Sequence, residues 1–460
     1  MLARWWQDFL QTLRLALPMI LGFIGSMALL FVDGVMLGRL GVEPLAAYTL
    51  GGQIVSIFLV WGFGLSAGQH ILGAAAFARG DPEETADVLQ SGFVVLGAFG
   101  LAWGLAVHAF WPAWESLFIG PLHQDPALVD QARGYMITTT WAILPTLLYA
   151  NTKAFLECQN RPWTPLLVYV PGMALNIFLN WVLIFGNLGA PAMGVTGAGL
   201  ATLLAKVAML LGLLAFAAYG KGILRPPRLL LRRPHRAGVR QFAGIGVITG
   251  FQSLLEHLMF VVMALFMGQF GAAALAAHNI AFRVGSFAFM IPLGISFAVS
   301  IRVAQAKARG DYRLVERIIK SGMAFTGVFM FLAAVAFVVA RDPIAWVFYD
   351  ERNAETIASV DLAKGFLLIM AIFQVFDGVQ FVINGGLRGL KDVKLPTLLT
   401  LVNYWAIAVP VAYGLAFFTP LAGDGLWWGL LVGLALNAIL LSWRLRVQLR
   451  RTAGELKHAP

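Results

Sequence analysis

At 460 residues, with 59% hydrophobic and only 12% charged residues, the chain is far more apolar than a soluble domain, and its solvent is lipid. Its net charge of +10 reads as a topology signal and an attraction to anionic lipid, because Lys and Arg cluster between apolar stretches; nucleic acid is not an expected partner. The single cysteine, Cys158, excludes an internal disulfide, and no nearby histidines complete a metal site with it.

Leu2 to Leu17 lacks a short apolar core followed by a small-residue cleavage site, so the first span is expected to be retained. Trp5, Trp6, Phe9 and Leu13 ahead of it fit an interfacial segment or an extension of the first helix. Twelve apolar stretches follow, each near the roughly 20 residues that span a bilayer as a helix. They are predicted at 14–37, 48–72, 88–112, 133–155, 163–187, 194–219, 241–267, 278–304, 321–341, 361–386, 395–419 and 424–445.

The window Gly38 to Asp81 recurs as Gly268 to Asp311 at a constant offset of 230 residues. Leu45-Ala46-Ala47 matches Leu275-Ala276-Ala277, Gly64 and Ser66 match Gly294 and Ser296, and Ala78-Arg79-Gly80-Asp81 matches Ala308-Arg309-Gly310-Asp311. Leu156 with Pro165 recurs as Leu387 with Pro396, one residue further along. Six spans per half return the chain to its starting side, so the halves share one orientation and a pseudo-two-fold axis along the membrane normal. The expected organisation is an N-terminal six-helix bundle over 1–220, a basic cytoplasmic linker over 221–240, and a C-terminal six-helix bundle with its tail over 241–460.

Basic residues set the orientation. Lys221, Arg225, Arg228, Arg232, Arg233, Arg236 and Arg240 lie between the halves, Lys307, Arg309, Arg313, Arg317 and Lys320 follow the eighth span, and Arg444, Arg446, Arg450 and Arg451 lie in the tail. Both termini are therefore expected to be cytoplasmic. Arg341 and Arg352, on the opposite side, are diluted by Asp342, Asp350, Glu351 and Glu355.

Ionisable groups deep in a span cost roughly 3 kcal/mol or more each, which makes them functional candidates. Only Asp33, Glu256 and Asp377 lie well inside apolar sequence as acids, with Glu157 near a helix end. Glu256 lies about 11 residues from the outer end of the seventh span and Asp377 about 16 residues into the tenth, so at about 1.5 Å per residue they reach overlapping depths. The repeat counterpart of Asp33 is Met263 and that of Glu256 is Ser26, so the halves are chemically unequal. Such carboxylates either make interhelical hydrogen bonds or form a site for sodium or exchangeable protons, with Gln252, Gln374, Gln380 and Tyr404 as neighbouring polar candidates.

Lys206 and Arg283 also fall inside spans. For Lys206 a structural pair or snorkelling is expected; Arg283 is open between pairing with one of the acids, which would compete with a bound cation, lining a wet cavity, and snorkelling. His257 points about 100° away from Glu256, so the two do not share a metal, and His70, His108 and His278 read as packing residues. Met259, Met263 and Met267 form a helical stripe expected to serve packing or lipid contact. Pro18 removes a backbone hydrogen bond from the first span and is expected to permit a bend there.

Four passages, "LPMILGFIGSMALLFVDGVMLGRLG" from Leu17 to Gly41, "LNIFLNW" from Leu175 to Trp181, the stretch around Glu256 with "LAAHNIAF" to Phe282, and "FDGVQFVINGGLRGLKD" from Phe376 to Asp392, resemble the multidrug and toxic compound extrusion family in its NorM-like branch. The resemblance covers almost the whole chain. It implies an all-α protein with twelve transmembrane helices in two six-helix bundles with a V-shaped opening, exporting cationic or amphipathic compounds in exchange for Na+ or H+. By the same resemblance Asp33 is the first-helix acid, Asn176 and Asn180 are the fifth-helix asparagines of an N-terminal site, and Glu256 and Asp377 are the seventh- and tenth-helix acids. Arg283 departs from the family pattern, where a neutral residue is usual.

The expectation is thus a cation-coupled antiporter of the bacterial inner membrane, working by alternating access as a monomer, with small amphipathic substrates, membrane lipid around it and no cofactor beyond the coupling ion. The alternative within transport is a lipid-linked saccharide flippase of the same superfamily, to which Lys206 and Arg283 would offer basic contacts. No paired metal histidines, nucleophile motif or phosphate loop appears, so the chain is not expected to be an enzyme. A channel is disfavoured by the unequal acids of the two halves.

Overall fold

The computed structural model describes residues 2–119, 125–219, 233–349 and 353–457. Among these, twelve long helices and a few short ones account for the regular structure: α1 Leu2–Gly38, α2 Val42–Arg79, α3 Pro82–Ala109, α4 Pro126–Cys158, α5 Trp163–Phe185, α6 Gly194–Tyr219, α7 Arg236–Gly268, α8 Ala272–Ala308, α9 Tyr312–Val339, α10 Ala354–Gly389, α11 Lys394–Phe417 and α12 Ala422–Lys457. Eleven are long and apolar enough to cross a membrane. The exception, α4, has 33 residues but carries Thr139, Thr140, Asn151, Thr152 and Glu157 on buried faces, which lowers its hydropathy without shortening it. Of the basic linker, Lys221, Arg225, Arg228 and Arg232 lie outside the described residues, as do Asp350, Glu351, Arg352 and the side chain of Glu355.

The duplication is visible in local chemistry. After α2 and α8 the chain turns through Gly80 at φ 73° and Gly310 at φ 75°, a conformation that costs glycine no Cβ clash. Asp81 and Asp311 then cap α3 and α9: Asp81 Oδ1 accepts from the Glu83 and Glu84 amides at 2.9 and 3.0 Å, and Asp311 Oδ1 from the Leu314 amide at 2.9 Å. The later part of the repeat shows the same correspondence one residue out of step. Asn160 and Lys391 both adopt left-handed backbone, at φ 59° and 64°. The next amides return to the preceding helix, Arg161 to Leu156 O at 3.0 Å and Asp392 to Leu387 O at 2.9 Å.

Packing repeats as well: α4 lies against α2, α3 and α6, and α10 lies against α8, α9 and α12. Small residues permit the close approach; a Cβ on Gly197 of α6 would sit 2.6 Å from Leu183 O of α5, and one on Gly425 of α12 would sit 2.6 Å from the Leu415 carbonyl carbon of α11. The compact units nevertheless do not follow the chain halves. One comprises Met1–Ile20 with Leu255–Pro460 and the other Leu21–Leu254, so α1 and α7 each pass from one unit to the other partway along their length. Pro18 lies just ahead of the α1 transition, inside a helix that continues through it. The segment before it is a continuation of α1, not a separate surface helix: Phe9 stacks on Phe325 at 3.6 Å, Trp6 lies 5.4 Å from the same ring, and Asp8 Oδ2 accepts from Arg317 Nε at 2.8 Å.

Two π turns break the symmetry, Gln69–Gly73 in α2 and Asn403–Ala408 in α11. Their repeat counterparts in α8 and α5 are regular α-helix. A π turn widens the helix by one residue and re-aims side chains, and each here carries buried polar groups that meet a neighbouring helix.

Candidate functional site

In the unit spanning Leu21–Leu254, Asp33 of α1 is 5% exposed. Asn180 of α5 donates through Nδ2 to Asp33 Oδ1 at 2.6 Å and to Asn176 Oδ1 at 3.1 Å, and Asn176 Nδ2 reaches Thr202 Oγ1 of α6 at 3.4 Å. The two asparagines, four residues apart on one helical face, are fully buried. Tyr135, Tyr169 and Lys206 lie within electrostatic reach of Asp33. Lys206 is half-buried, its Nζ 5.3 Å from the Tyr169 ring centroid, with no carboxylate at ion-pair distance among the described residues.

A second polar cluster of this unit was not foreseen. His70, read from the sequence as a packing residue, lies in the α2 π turn with Nε2 3.1 Å from Glu157 Oε2 of α4, and Lys153 Nζ is 3.6 Å from Glu157 Oε1. Cys158 Sγ meets Gln69 O of the same turn at 3.5 Å. The lone His sits 87 positions from its partner, so only the fold could bring the pair together.

In the unit containing Leu255–Pro460, Asp377 of α10 is part of a directed chain of hydrogen bonds. Gln380 Nε2 donates to Asp377 Oδ1 at 3.0 Å and to Tyr404 Oη at 3.0 Å; Asn437 Nδ2 of α12 donates to Gln380 Oε1 at 2.5 Å; Thr400 Oγ1 donates to Asn437 Oδ1 at 3.2 Å. Tyr404 occupies the α11 π turn. Glu256 of α7 is half-buried and lies within electrostatic reach of both Asp377 and Tyr404. Gln374, one turn before Asp377, is 2% exposed and neither of its amide atoms has a hydrogen-bond partner. Unlike Gln380, Asn437 had no motif around it; a lone amide in the apolar string of α12 was its only signal.

Other candidates fall elsewhere. Gln252 is buried but belongs to the Leu21–Leu254 unit, four residues before Glu256 on α7. Arg283 is exposed on α8, beside Phe282 and Phe287, and no carboxylate among the described residues lies at ion-pair distance, so of the readings open for it the ion pair with an acid is absent here. The helical turn sends Ala281 and Gly285 inward and Arg283 outward. Met259, Met263 and Met267 are at most 1% exposed and pack in the core, and His278 packs 5.2 Å from Trp427. Among the described residues no group of three or more His, Cys, Asp or Glu is placed to hold a metal ion; an alkali cation would need amide, hydroxyl and backbone oxygens beside the carboxylates.

The MatE family profile matches residues 18–182 and again 249–414, once in each half. A probable multidrug resistance protein NorM of Bradyrhizobium diazoefficiens is 35% identical over 97% of this chain and 95% of its own length. A protein of the same description from Mesorhizobium japonicum is 34% identical over 96% and 94%. Among solved structures, the eukaryotic MATE transporter AtDTX14 superposes with a TM-score of 0.84 at 19% identity, covering 98% of this chain and 99% of that one. A MOP superfamily transporter from Pyrococcus furiosus, described as having a binding pocket of reverse polarity, superposes with a TM-score of 0.87 at 19% identity, covering 96% of each. With the duplicated six-helix pattern, the motifs and these matches in hand, the chain belongs to the MatE family, the multidrug and toxic compound extrusion family.

Proposed function

We propose that the chain is a cation-coupled antiporter, exchanging Na+ or H+ for cationic or amphipathic compounds by alternating access. The observation that carries this reading is Asp377, a carboxylate inside an apolar unit, held by Gln380 and in the field of Glu256. Two acids that share a low-dielectric site repel each other when both are ionised, so one cation or proton relieves the repulsion and its release restores it. Gln380 and Tyr404 hold the geometry while Glu256 and Asp377 exchange the ion. Asp33, backed by Asn180 and Asn176, supplies a separate negative group in the other unit, suited to a substrate cation. The descriptions of the bacterial relatives as probable multidrug resistance proteins support export.

The passage of α1 and α7 from one compact unit to the other gives two helices through which a change at an acid can be felt in both units. On this reading the protein works as a monomer in a bacterial inner membrane with both termini cytoplasmic; the basic residues after α8 and in the tail support that orientation, and the bacterial origin of the relatives supports the membrane.

The test is efflux of a cationic dye from proteoliposomes with Na+ and pH gradients imposed separately at fixed membrane potential. Efflux driven by either gradient, and lost in both Asp377→Asn and Glu256→Gln, is the expected result. Lipid headgroup scrambling without gradient-driven dye exchange would overturn it.

A further inference from the structure

Arg388, in the last turn of α10, is buried at 7% exposure, and its Nε and Nη2 have no hydrogen-bond partner. Among the described residues no carboxylate lies at ion-pair distance from it; its guanidinium lies 5.9 Å from the centroid of the Phe381 ring. A guanidinium cannot shed its charge, so burying it without a counter-charge is costly. The duplication sharpens the contrast. The repeat mate of Arg388 is Glu157, and that acid is answered by His70 at 3.1 Å and Lys153 at 3.6 Å, whereas the mates of those two partners are the buried, neutral Ser300 and Asn384. One unit pairs its charge at this position locally; the other inverts the sign and lacks the local partners.

A counter-charge lies further along the same face of α10. Gln374, Asp377, Phe381, Asn384 and Arg388 follow one another at spacings of three and four, which sets them in one stripe on the helix. Phe373 of α10 meets Phe260 of α7 with ring centroids 6.5 Å apart. As the seventh and tenth crossings the two helices run in opposite directions, so Glu256, four residues before Phe260, and Asp377, four residues after Phe373, reach the same level. Arg388 lies eleven residues, about 16 Å, further in that direction. Side chains on a helix lean toward its N-terminus, so Glu256 leans toward the level of Arg388 and Arg388 leans back toward the acids. Its contact with Phe381, two turns earlier, follows that lean, and the guanidinium is within electrostatic reach of Glu256.

We propose that Arg388 is a resident counter-charge of the Glu256 and Asp377 site that competes with the coupling ion, turning from the Phe381 face to Glu256 when the ion leaves and returning to the ring when an ion neutralises the acid. Two carboxylates and one guanidinium leave a single negative charge, so one monovalent cation neutralises the site. Two carboxylates alone in a low-dielectric unit would hold a cation too tightly to release it readily. A cation–π contact is weaker than a charge pair, which makes the ring a place the arginine can leave. The inference rests on the coupling role given to Glu256 and Asp377 and adds Arg388 as a positioning residue that sets how readily the ion departs.

The test is a double-substitution cycle on ion binding to the purified full-length protein in neutral detergent, with radioactive sodium read by scintillation proximity and proton binding by potentiometric titration. Arg388→Gln is expected to tighten binding of the coupling ion by at least about tenfold, and Arg388→Lys to stay close to the parent. The gain should persist in Asp377→Asn, where Glu256 remains, and be absent in Glu256→Gln, a dependence that a purely structural arginine would not produce. Arg388→Met, run beside Arg388→Gln, should shift ion binding alike, and a melting temperature at or above that of the parent is expected on removing a buried unpaired charge. In proteoliposomes Arg388→Gln should lower the ion concentration that half-saturates efflux and slow its maximal rate, because ion release becomes limiting. Unchanged ion binding in both neutral variants, or an equal gain in the two acid backgrounds, overturns the proposal. So does a parent affinity that changes when gluconate replaces chloride while that of Arg388→Gln does not, which would assign the guanidinium to a free anion. Coupling between Arg388 and Glu256 in ion binding without gradient-driven efflux would overturn the antiporter reading alone, whereas ion binding that Glu256→Gln leaves unmoved would overturn both.

Discussion

Gln380 presents its amide nitrogen, not its oxygen, to Asp377, because its oxygen is occupied by the Asn437 amide at 2.5 Å. Asn437 is in turn fixed by the Thr400 hydroxyl at 3.2 Å, so two residues on two other helices, acting through Gln380, set what the carboxylate faces. Asn437→Leu removes the shorter of the two hydrogen bonds to the Gln380 oxygen and leaves only the Tyr404 hydroxyl, at 3.3 Å, to hold it, a cost of about 1 kcal/mol. The expected outcome is roughly a tenfold rise in the ion concentration that half-saturates dye efflux, with the protein still folded. An unchanged half-saturation would mark Asn437 as a packing residue.

Glu256→Gln and Asp377→Asn keep side-chain size and hydrogen bonding but remove the exchangeable charge. Each single variant is expected to lose ion-driven efflux while eluting as a monodisperse protein and melting within a few degrees of the parent. Full gradient-driven transport by both would end the coupling role assigned to this pair.

Asp33 is held by Asn180 at 2.6 Å, twelve residues beyond the point where α1 passes from one compact unit to the other. Neutralising it changes what α5 holds on α1, and Pro18, which leaves the Arg14 carbonyl without its helical donor, gives the helix a place to respond. Asp33→Asn is expected to shift the distribution of distances between spin labels on the two units, and adding Pro18→Ala to damp that shift. Identical distributions across pH and sodium for the parent and Asp33→Asn would reduce Asp33 to a packing residue.

Much of the fold was legible because apolar span length and duplication are properties of the chain itself. Gly80 with Asp81 and Gly310 with Asp311 were recognisable as repeated residues, and the structure gives the physical reason, a left-handed turn followed by a helix cap. Asp33 was also marked in the sequence, as an acid in an apolar string, and Asn176 and Asn180 by the family resemblance of the string from Leu175 to Trp181. What could not be read was partnership across helices. His70 looked isolated because Glu157 is distant in sequence, and both π turns depend on tertiary packing that has no local signature. Arg283 was left open because a position inside an apolar span does not say which face of the helix it occupies. The passage of α1 and α7 between compact units was equally hidden, since each is one uninterrupted helix.

The two repeated caps differ in strength. Asp81 accepts two backbone amides and Asp311 one, so Asp81→Ala should cost more than Asp311→Ala, with each near the usual cap value of about 1 kcal/mol. Thermal unfolding followed by intrinsic tryptophan fluorescence would rank the two variants. The reverse order would show that neighbouring loop contacts outweigh the caps.

Arg283 gives a contrasting prediction, because the sequence leaves two behaviours open for it and its exposure favours one. A guanidinium buried beside the acids would compete with the coupling ion, and removing it would tighten ion binding. Arg283 is instead exposed on α8, with no carboxylate among the described residues at ion-pair distance. An exposed charge without a partner contributes little to a buried site, and a long side chain on a membrane helix can carry its head toward the polar boundary. Arg283→Gln is therefore expected to leave the ion dependence of efflux within about twofold of the parent and to leave the range of exported dyes unchanged. Ion-dependent efflux measured on Arg283→Gln beside Asp377→Asn, in the same lipid, provides the check. A marked gain in apparent ion affinity would mean that Arg283 reaches the acids during the transport cycle.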